Sequence, residues 1–431
     1  MARNSNRQPN ILYVMTDQHR ADLMTCAGND LVPTPAIDRI ASRGVRFEKA
    51  YCASPVCVPS RMSMISGLYP TNHKAVSNNE SLDWRTRTIA HDFADHGYLT
   101  GFVGKSHFND GHRHGFEYHL SVNDWLMYLG PKVALCAEEI ANCPWSADYF
   151  DTVSDDGSGF PEIPDLWEGT FPWAGKVPRS DYTNIESKIP AEDHLDAFIA
   201  RETGKFLKRY RDQPFFLVTS FMKPHAPFFP PKPWADMYPP ADVVFPPIGD
   251  SGRYPEHVQE LIRHVQSQGP TALKAMRAGY LGNVAFVDSC IGEVYGALEN
   301  LGMLENTVVI YTSDHGELGG DHGMYEKMCM FESAVAVPLI ASWPGVFPEG
   351  RVARGIVENI GIYPTLLDLL NWSPGADMDA RSFLPALRHP DAADAGEEAF
   401  SEFLYPGKVH QYMIRTGEYK YVYNDTSIPE L

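Results

Sequence analysis

Ser54-Pro55-Val56-Cys57-Val58-Pro59-Ser60-Arg61-Met62-Ser63-Met64-Ile65-Ser66-Gly67 is the stretch around which the rest of the chain can be read. Pro55 and Pro59 fix their own φ and hold the residues before them extended, so the run reads as a stiffened loop entering a helix. Ser60 is placed to cap that helix, and Arg61 follows Cys57 by one helical turn. A helix N-terminus beside a guanidinium suits an anion, and a cysteine there is a candidate nucleophile. A small buried thiol in a turn would satisfy the same residues, so the surrounding chain has to decide.

Upstream, the apolar run Ile11-Leu12-Tyr13-Val14-Met15 ends abruptly in Thr16-Asp17-Gln18-His19, the pattern of a buried parallel strand. Similar runs recur. Residues 99–103 empty into Gly104-Lys105-Ser106-His107, residues 214–221 into Met222-Lys223-Pro224-His225, and residues 307–313 into Asp314-His315-Gly316-Glu317; residues 337–341 read as a further strand. Helices are predicted over 88–96, 193–210, 272–301 and 362–370, and another opens at Thr34-Pro35. Such alternation predicts an α/β fold: a doubly wound, mostly parallel sheet flanked by helices. The carboxyl ends of its strands converge on one face. Asp17, Gln18, Lys105, His107, His225, Asp314 and His315 are thereby predicted to meet near Cys57, with Lys327 just downstream. Asp17, Gln18, Asp314 and His315 offer mainly oxygen, which suits a hard divalent cation, and no zinc-like Cys/His spacing is present.

The chain has 431 residues, 44% of them hydrophobic and 21% charged, enough for a large α/β domain with a smaller one attached. A net charge of −19 argues against non-specific binding to nucleic acid or membrane surfaces. Seven scattered cysteines without a C-x-x-C pair favour reduced thiols. The polar N-terminal residues carry no leader-like apolar region, so a cytoplasmic location is expected. Residues 108–190 are irregular and read as an insertion. Its tryptophans, Trp125, Trp145, Trp167 and Trp173, either pack it together or line a substrate pocket. Residues 411–415 and 419–423 form a predicted hairpin around Thr416-Gly417-Glu418. The expected layout is a catalytic domain over 1–370 and a small antiparallel-sheet subdomain over 371–431.

Cys57-Val58-Pro59-Ser60-Arg61, with the helix it opens and Leu68-Tyr69-Pro70 beyond, resembles the signature of the sulfatase family. The segment from Thr34 to Tyr51 and the C-terminal hairpin resemble the corresponding sulfatase regions. The Gln18/His315 pair resembles the choline-sulfatase and phosphonate-monoesterase branch of this alkaline phosphatase-like superfamily. The resemblance implies oxidation of Cys57 to formylglycine, which acts as the nucleophile after hydration and needs a formylglycine-generating enzyme. It implies one divalent cation at Asp17, Gln18, Cys57, Asp314 and His315: Ca²⁺ first, with Mg²⁺ and Mn²⁺ as alternatives. It makes Asp314 the base and lets Arg61, Lys105 and Lys327 spread the charge of the sulfuryl group. His225 and Lys327 would bind the sulfate and protonate the leaving oxygen, and His107 would expel sulfate. Asn78 would hydrogen-bond the nucleophile or substrate oxygens. The implied substrate is a small or saccharide sulfate ester, and a homo-oligomer is one option for assembly. In the family, relatives continue past Pro429-Glu430-Leu431.

Three alternatives stay open. A phosphonate monoester or phosphodiester hydrolase would share the fold, but Lys105 and His107 form a Lys-x-His pair that branch tends to lack. A metal-dependent phosphomutase or phosphatase would use Ser or Thr as nucleophile. A binding protein would keep Cys57 as a thiol. Lys223 is expected to be solvated, His19 and Arg20 to be surface residues or substrate contacts, and Asp321, His322 and Glu332 to brace a loop.

Overall fold

The computed structural model describes residues 8–132, 185–246, 252, 254, 256–391, 396–405 and 409–425. At its centre β1 (Asn10–Asp17) lies between β5 (Phe215–Pro224) and β6 (Thr307–Ser313), parallel to both. Outside β5 come β3 (Leu99–Gly104) and then β4 (Tyr118–Leu120), again parallel. On the other side β7 (Leu339–Ser342) runs antiparallel to β6 and to β2 (Gly44–Tyr51), and β8 (Arg351–Glu358) closes the edge parallel to β2. The predicted doubly wound, mostly parallel sheet is thus present, with eight strands among the described residues.

Alternation within β1 explains its continuous apolar run. Ile11, Tyr13 and Met15 point into one core, with Met62 and Ile65 of the helix Cys57–Ser66 and Phe93 of Ile89–Asp95. Leu12 and Val14 point into the other, with Ile37 and Ile40 of the helix Pro35–Ser42 and Ile291 and Leu298 of Pro270–Asn300. A strand covered on both faces has no solvent side, so polar residues enter only at its ends.

β2 and β8 were not expected as strands. Glu48 of β2 and Arg351 of β8 are exposed, and charges inside these runs mask the apolar period. The described part of 108–190 also contains regular structure, β4 and the helix Val122–Leu129. Trp125 on that helix is fully buried and donates from Nε1 to the Asp193 carbonyl at 2.7 Å, so it packs rather than lines a pocket. Trp145, Trp167 and Trp173 lie outside the described residues.

β9 (Glu398–Tyr405), β10 (Val409–Thr416) and β11 (Lys420–Asn424) make a separate antiparallel sheet, which contains the predicted hairpin and one more strand. Its inner face, with Phe403, Met413 and Val422, joins the same core as Ile11 and Tyr13.

Candidate active site

Four parallel strands deliver their last residues to one point. Asp17 closes β1, Lys105 follows β3, His225 follows β5, and Asp314 follows β6. Gly104 allows the crowded exit of β3: its φ is +106°, and a Cβ there would stand 2.0 Å from the Ser220 carbonyl oxygen. The helix Cys57–Ser66 arrives from the side with Cys57 as its first residue.

Arg61 holds the centre. Its Nε donates to Asp314 Oδ2 at 2.7 Å and its Nη2 to Asp17 Oδ2 at 3.0 Å. Its Nη1 donates to the Lys105 carbonyl at 2.6 Å and to Ser220 Oγ at 3.0 Å. Lys105 Nζ donates to Asp17 Oδ2 at 2.6 Å. All these side chains are 2% exposed or less. Burial works against ionisation of Asp17, but the Lys105 ammonium and the Arg61 guanidinium outweigh it and hold the carboxyl well below the usual range. Burial likewise opposes the Arg61 charge, which Asp314 and Asp17 more than restore.

Beside this knot stand Cys57 and His315. The His315 Nδ1–H donates to the Gly316 carbonyl at 2.9 Å, which turns Nε2 toward Cys57 Sγ at 3.1 Å. Nε2 also lies 3.7 Å from Asp17 Oδ1 and 3.8 Å from Asp314 Oδ1. Burial alone would lower the His315 pKa, yet Asp314 and the Cys57 sulfur raise it to about 9. Ligand atoms of Asp17, Cys57, Asp314 and His315 all lie within 4.8 Å of one another. They fit a divalent cation: two carboxylates and an imidazole are gathered around one point, a donor set that draws positive charge. The oxygen-rich set suits Ca²⁺, Mg²⁺ or Mn²⁺ better than zinc.

Lys327 reaches the opposite wall. Its Nζ donates to Gln18 Oε1 at 2.6 Å and to His225 Nε2 at 2.9 Å. His225 can accept there because its Nδ1–H is spent on the Ala226 carbonyl at 2.7 Å. Burial and then Lys327 push the His225 pKa well below its usual value. Burial, Lys105 and Arg61 do the same to His107, which is buried with a φ of 59°. Both rings are therefore neutral bases near pH 7. Asn78 Oδ1 accepts from the Val58 backbone at 3.1 Å, so its amide braces the start of the Cys57 helix.

Some local expectations change. Ser60 does not cap: the N-cap is Val56, and Ser60 Oγ donates instead to the Asp314 carbonyl at 2.6 Å, tying helix to strand end. Lys223 is not solvated; it is 1% exposed and its Nζ donates to the Pro227 carbonyl at 2.6 Å. His19 and Arg20 are buried, and Arg20 pairs with Asp22 and Asp321 at 2.7 and 2.8 Å. Loop bracing by Asp321, His322 and Glu332 is seen in the Arg20 pair, in Tyr254 Oη to His322 Nδ1 at 2.8 Å, and in Tyr51 Oη donating to Glu332 at 2.6 Å. Sequence reasoning missed Ser220, which lies inside β5, and Glu317, whose place at the exit of β6 beside Asp314 and His315 was the one signal that could have marked it.

The family model described as Sulfatase matches residues 9–372, and that for the N-sulphoglucosamine sulphohydrolase C-terminal region matches residues 320–431. An arylsulfatase of Clostridium perfringens (strain 13 / Type A) is 31% identical over 85% of this chain and 76% of its own length. A choline-sulfatase of Rhizobium meliloti (strain 1021) is 26% identical over 96% of this chain and 78% of its own. The crystal structure of the phosphonate monoester hydrolase of Agrobacterium radiobacter superposes with a TM-score of 0.79 at 24% identity, covering 98% of this chain and 88% of that one, a likeness of fold.

Proposed function

This chain belongs to the sulfatase family, and from that premise we propose that it hydrolyses a small or saccharide sulfuric ester with Cys57 as the precursor of its nucleophile. Cys57, once converted to formylglycine by a formylglycine-generating enzyme, supplies a hydrated aldehyde in place of the thiol. Asp17, Asp314 and His315 would hold one divalent cation beside it, Ca²⁺ before Mg²⁺ or Mn²⁺, with the Gln18 amide oxygen, which here accepts from Lys327, as a further ligand. When bound, that ion supplies Lewis acidity toward oxygen.

The chain's own residues account for the rest. Asp314 would serve as the base, its orientation fixed by Arg61 and by the Gln18 and His315 backbone amides at 3.1 and 2.9 Å. Arg61, Lys105 and Lys327 present three buried cations to a sulfuryl group, the electrostatic stabilisation such transfers need. His225 is neutral and accepts from Lys327, so the ammonium is the proton source for the leaving oxygen and the imidazole aims it. Neutral His107 is suited to take the proton whose loss expels sulfate. Asn78 steadies the nucleophile's helix turn.

The observation that carries this reading is the placement of Cys57 at the head of its helix, 3.1 Å from His315 and enclosed by Arg61, Asp17 and Asp314. Lys105 and His107, both buried beside Asp17, favour sulfate esters over phosphonates. No helix of the described residues is long and apolar enough to cross a membrane, and the reading includes a cytoplasmic address and small imported substrates. The catalytic residues fall within 1–370, with 371–431 as a supporting subdomain and homo-oligomerisation compatible with both. The test is the mass of the tryptic peptide spanning residues 50–61, in which Cys52 serves as an internal thiol. An aldehyde or its hydrate at Cys57, followed by sulfate release from aryl sulfates in preference to phosphonates, is expected. A thiol at Cys57 after co-expression with a formylglycine-generating enzyme would overturn the mechanism.

A further inference from the structure

We propose that Glu317 is a positioning residue for this reaction: it fixes which way the Gln18 amide faces, and through that amide holds the Lys327 ammonium against His225. The proposal rests on the sulfuric-ester reading for the role of Lys327 and His225.

Lys327 has donors only, so the group it meets on Gln18 at 2.6 Å must be the amide oxygen. That choice turns the Gln18 NH₂ the other way, into the buried interior, where it needs an acceptor. Glu317 Oε2 is that acceptor. Glu317 is fully buried, and its Oε1 accepts from the backbone amides of Gly319 at 2.7 Å and Glu326 at 2.8 Å. One carboxyl therefore pins the segment leading into Lys327 and orients the amide that Lys327 meets. Glu326 stands further off, 3.4 Å from Gln18 Nε2 and 3.2 Å from Lys327 Nζ, with its side chain 15% exposed.

Glu317→Gln keeps the shape and breaks the wiring. The new amide must spend its oxygen on the two backbone amides, which leaves its NH₂ facing the Gln18 NH₂. Gln18 cannot turn over to relieve this without presenting a donor to Lys327. Adding Gln18→Glu removes the conflict, because a carboxylate accepts from both sides.

The experiment is a double-mutant cycle on the matured, metal-replete protein. It is read by calorimetric binding of inorganic sulfate, by kcat/KM on an aryl sulfate and by thermal midpoint. Loss of a partner that orients a site ligand typically costs 10–100-fold, so Glu317→Gln is expected to weaken both sulfate binding and kcat/KM by about that factor. The double variant is expected to recover most of it. Additive single effects, or a loss in Glu326→Gln as large as in Glu317→Gln, would overturn the proposal. If Glu317→Gln fails to fold, the double variant must regain the fold, and its failure too is a refutation. Failure of the sulfuric-ester reading looks different: an inactive wild type in which sulfate binding still couples Gln18 with Glu317.

Discussion

The large, mostly parallel sheet buries charge where the small antiparallel sheet exposes aromatic rings, although backbone hydrogen-bond ladders hold both. At the carboxyl ends of β1, β3 and β6, Asp17, Lys105 and Asp314 surround Arg61 with almost no solvent contact. On the outer face of the small sheet, Phe400, Ile414 and Tyr421 stand in one cross-strand row, and Tyr412 pairs with Tyr423 in the next. Phe400, Tyr421 and Tyr423 are 38%, 40% and 47% exposed. Burying an ion costs several kcal/mol unless every charge meets a partner, whereas leaving a tyrosine half in water costs little. The large sheet can therefore carry its charges only as a closed network, and that network coincides with the chemistry.

The comparison breaks first at Cys57. Cys57→Ala removes a small buried side chain and the nucleophile together. Turnover of a sulfate ester by matured protein is expected to fall by about 10⁴-fold or more, with the melting temperature within a few degrees of the parent. Activity within tenfold of the parent would strip this cluster of its distinction.

Arg61 tests whether the charge network is closed. In Arg61→Met, Asp17 and Asp314 lose the guanidinium bonded to both. Breaking a buried pair in this way costs about 3–5 kcal/mol, so urea unfolding is expected to show a loss of that size. A loss below about 1 kcal/mol would mean that solvent reaches the carboxylates.

Acid acts on the large-sheet side through neutral histidines as well as carboxylates. His73, whose Nε2 lies 2.9 Å from Ser63 Oγ on the Cys57 helix, has its pKa lowered by burial to about 4. A depressed base binds its proton in the unfolded chain first. Its contribution is complete above the unfolded value near 6.5 and is lost as pH falls from there to about 4, up to about 3 kcal/mol. His73→Asn is expected to be less stable at pH 7 but to show a shallower fall in unfolding free energy between pH 6.5 and 4. Parallel curves for parent and variant would show that His73 keeps its proton on folding.

Much of the site was readable because parallel strands covered on both faces leave an unmistakable apolar run, and polar residues such as Asp17, Lys105 and Asp314 can follow only at its exit. Cys57 and Arg61 were readable because prolines mark the start of their helix. What escaped was pairing. Nothing local to Glu317 says that it faces Gln18, 299 positions away, and nothing local to Lys223 says that backbone carbonyls replace water around its ammonium. β2 and β8 escaped because their charged residues imitate a loop. The hairpin at 411–423 was legible from alternation and its Gly417 turn, while β9, separated from it by residues 406–408, gave no comparable signal.

The smallest effect is expected on the other side of the comparison. Tyr421 faces outward opposite Ile414, and a serine there keeps the backbone ladder while removing one half-exposed ring. Tyr421→Ser should change unfolding free energy by no more than about 0.5 kcal/mol, as for surface substitutions generally, and leave kcat/KM unchanged. The informative result is the contrary one. Because Met413 and Val422 behind that face share a core with Ile11 and Tyr13 of β1, a drop in kcat/KM without a drop in stability would mean that the small sheet transmits strain to the strand end at Asp17. The two sheets would then be one mechanical unit, and the aromatic face would have to be counted with the site.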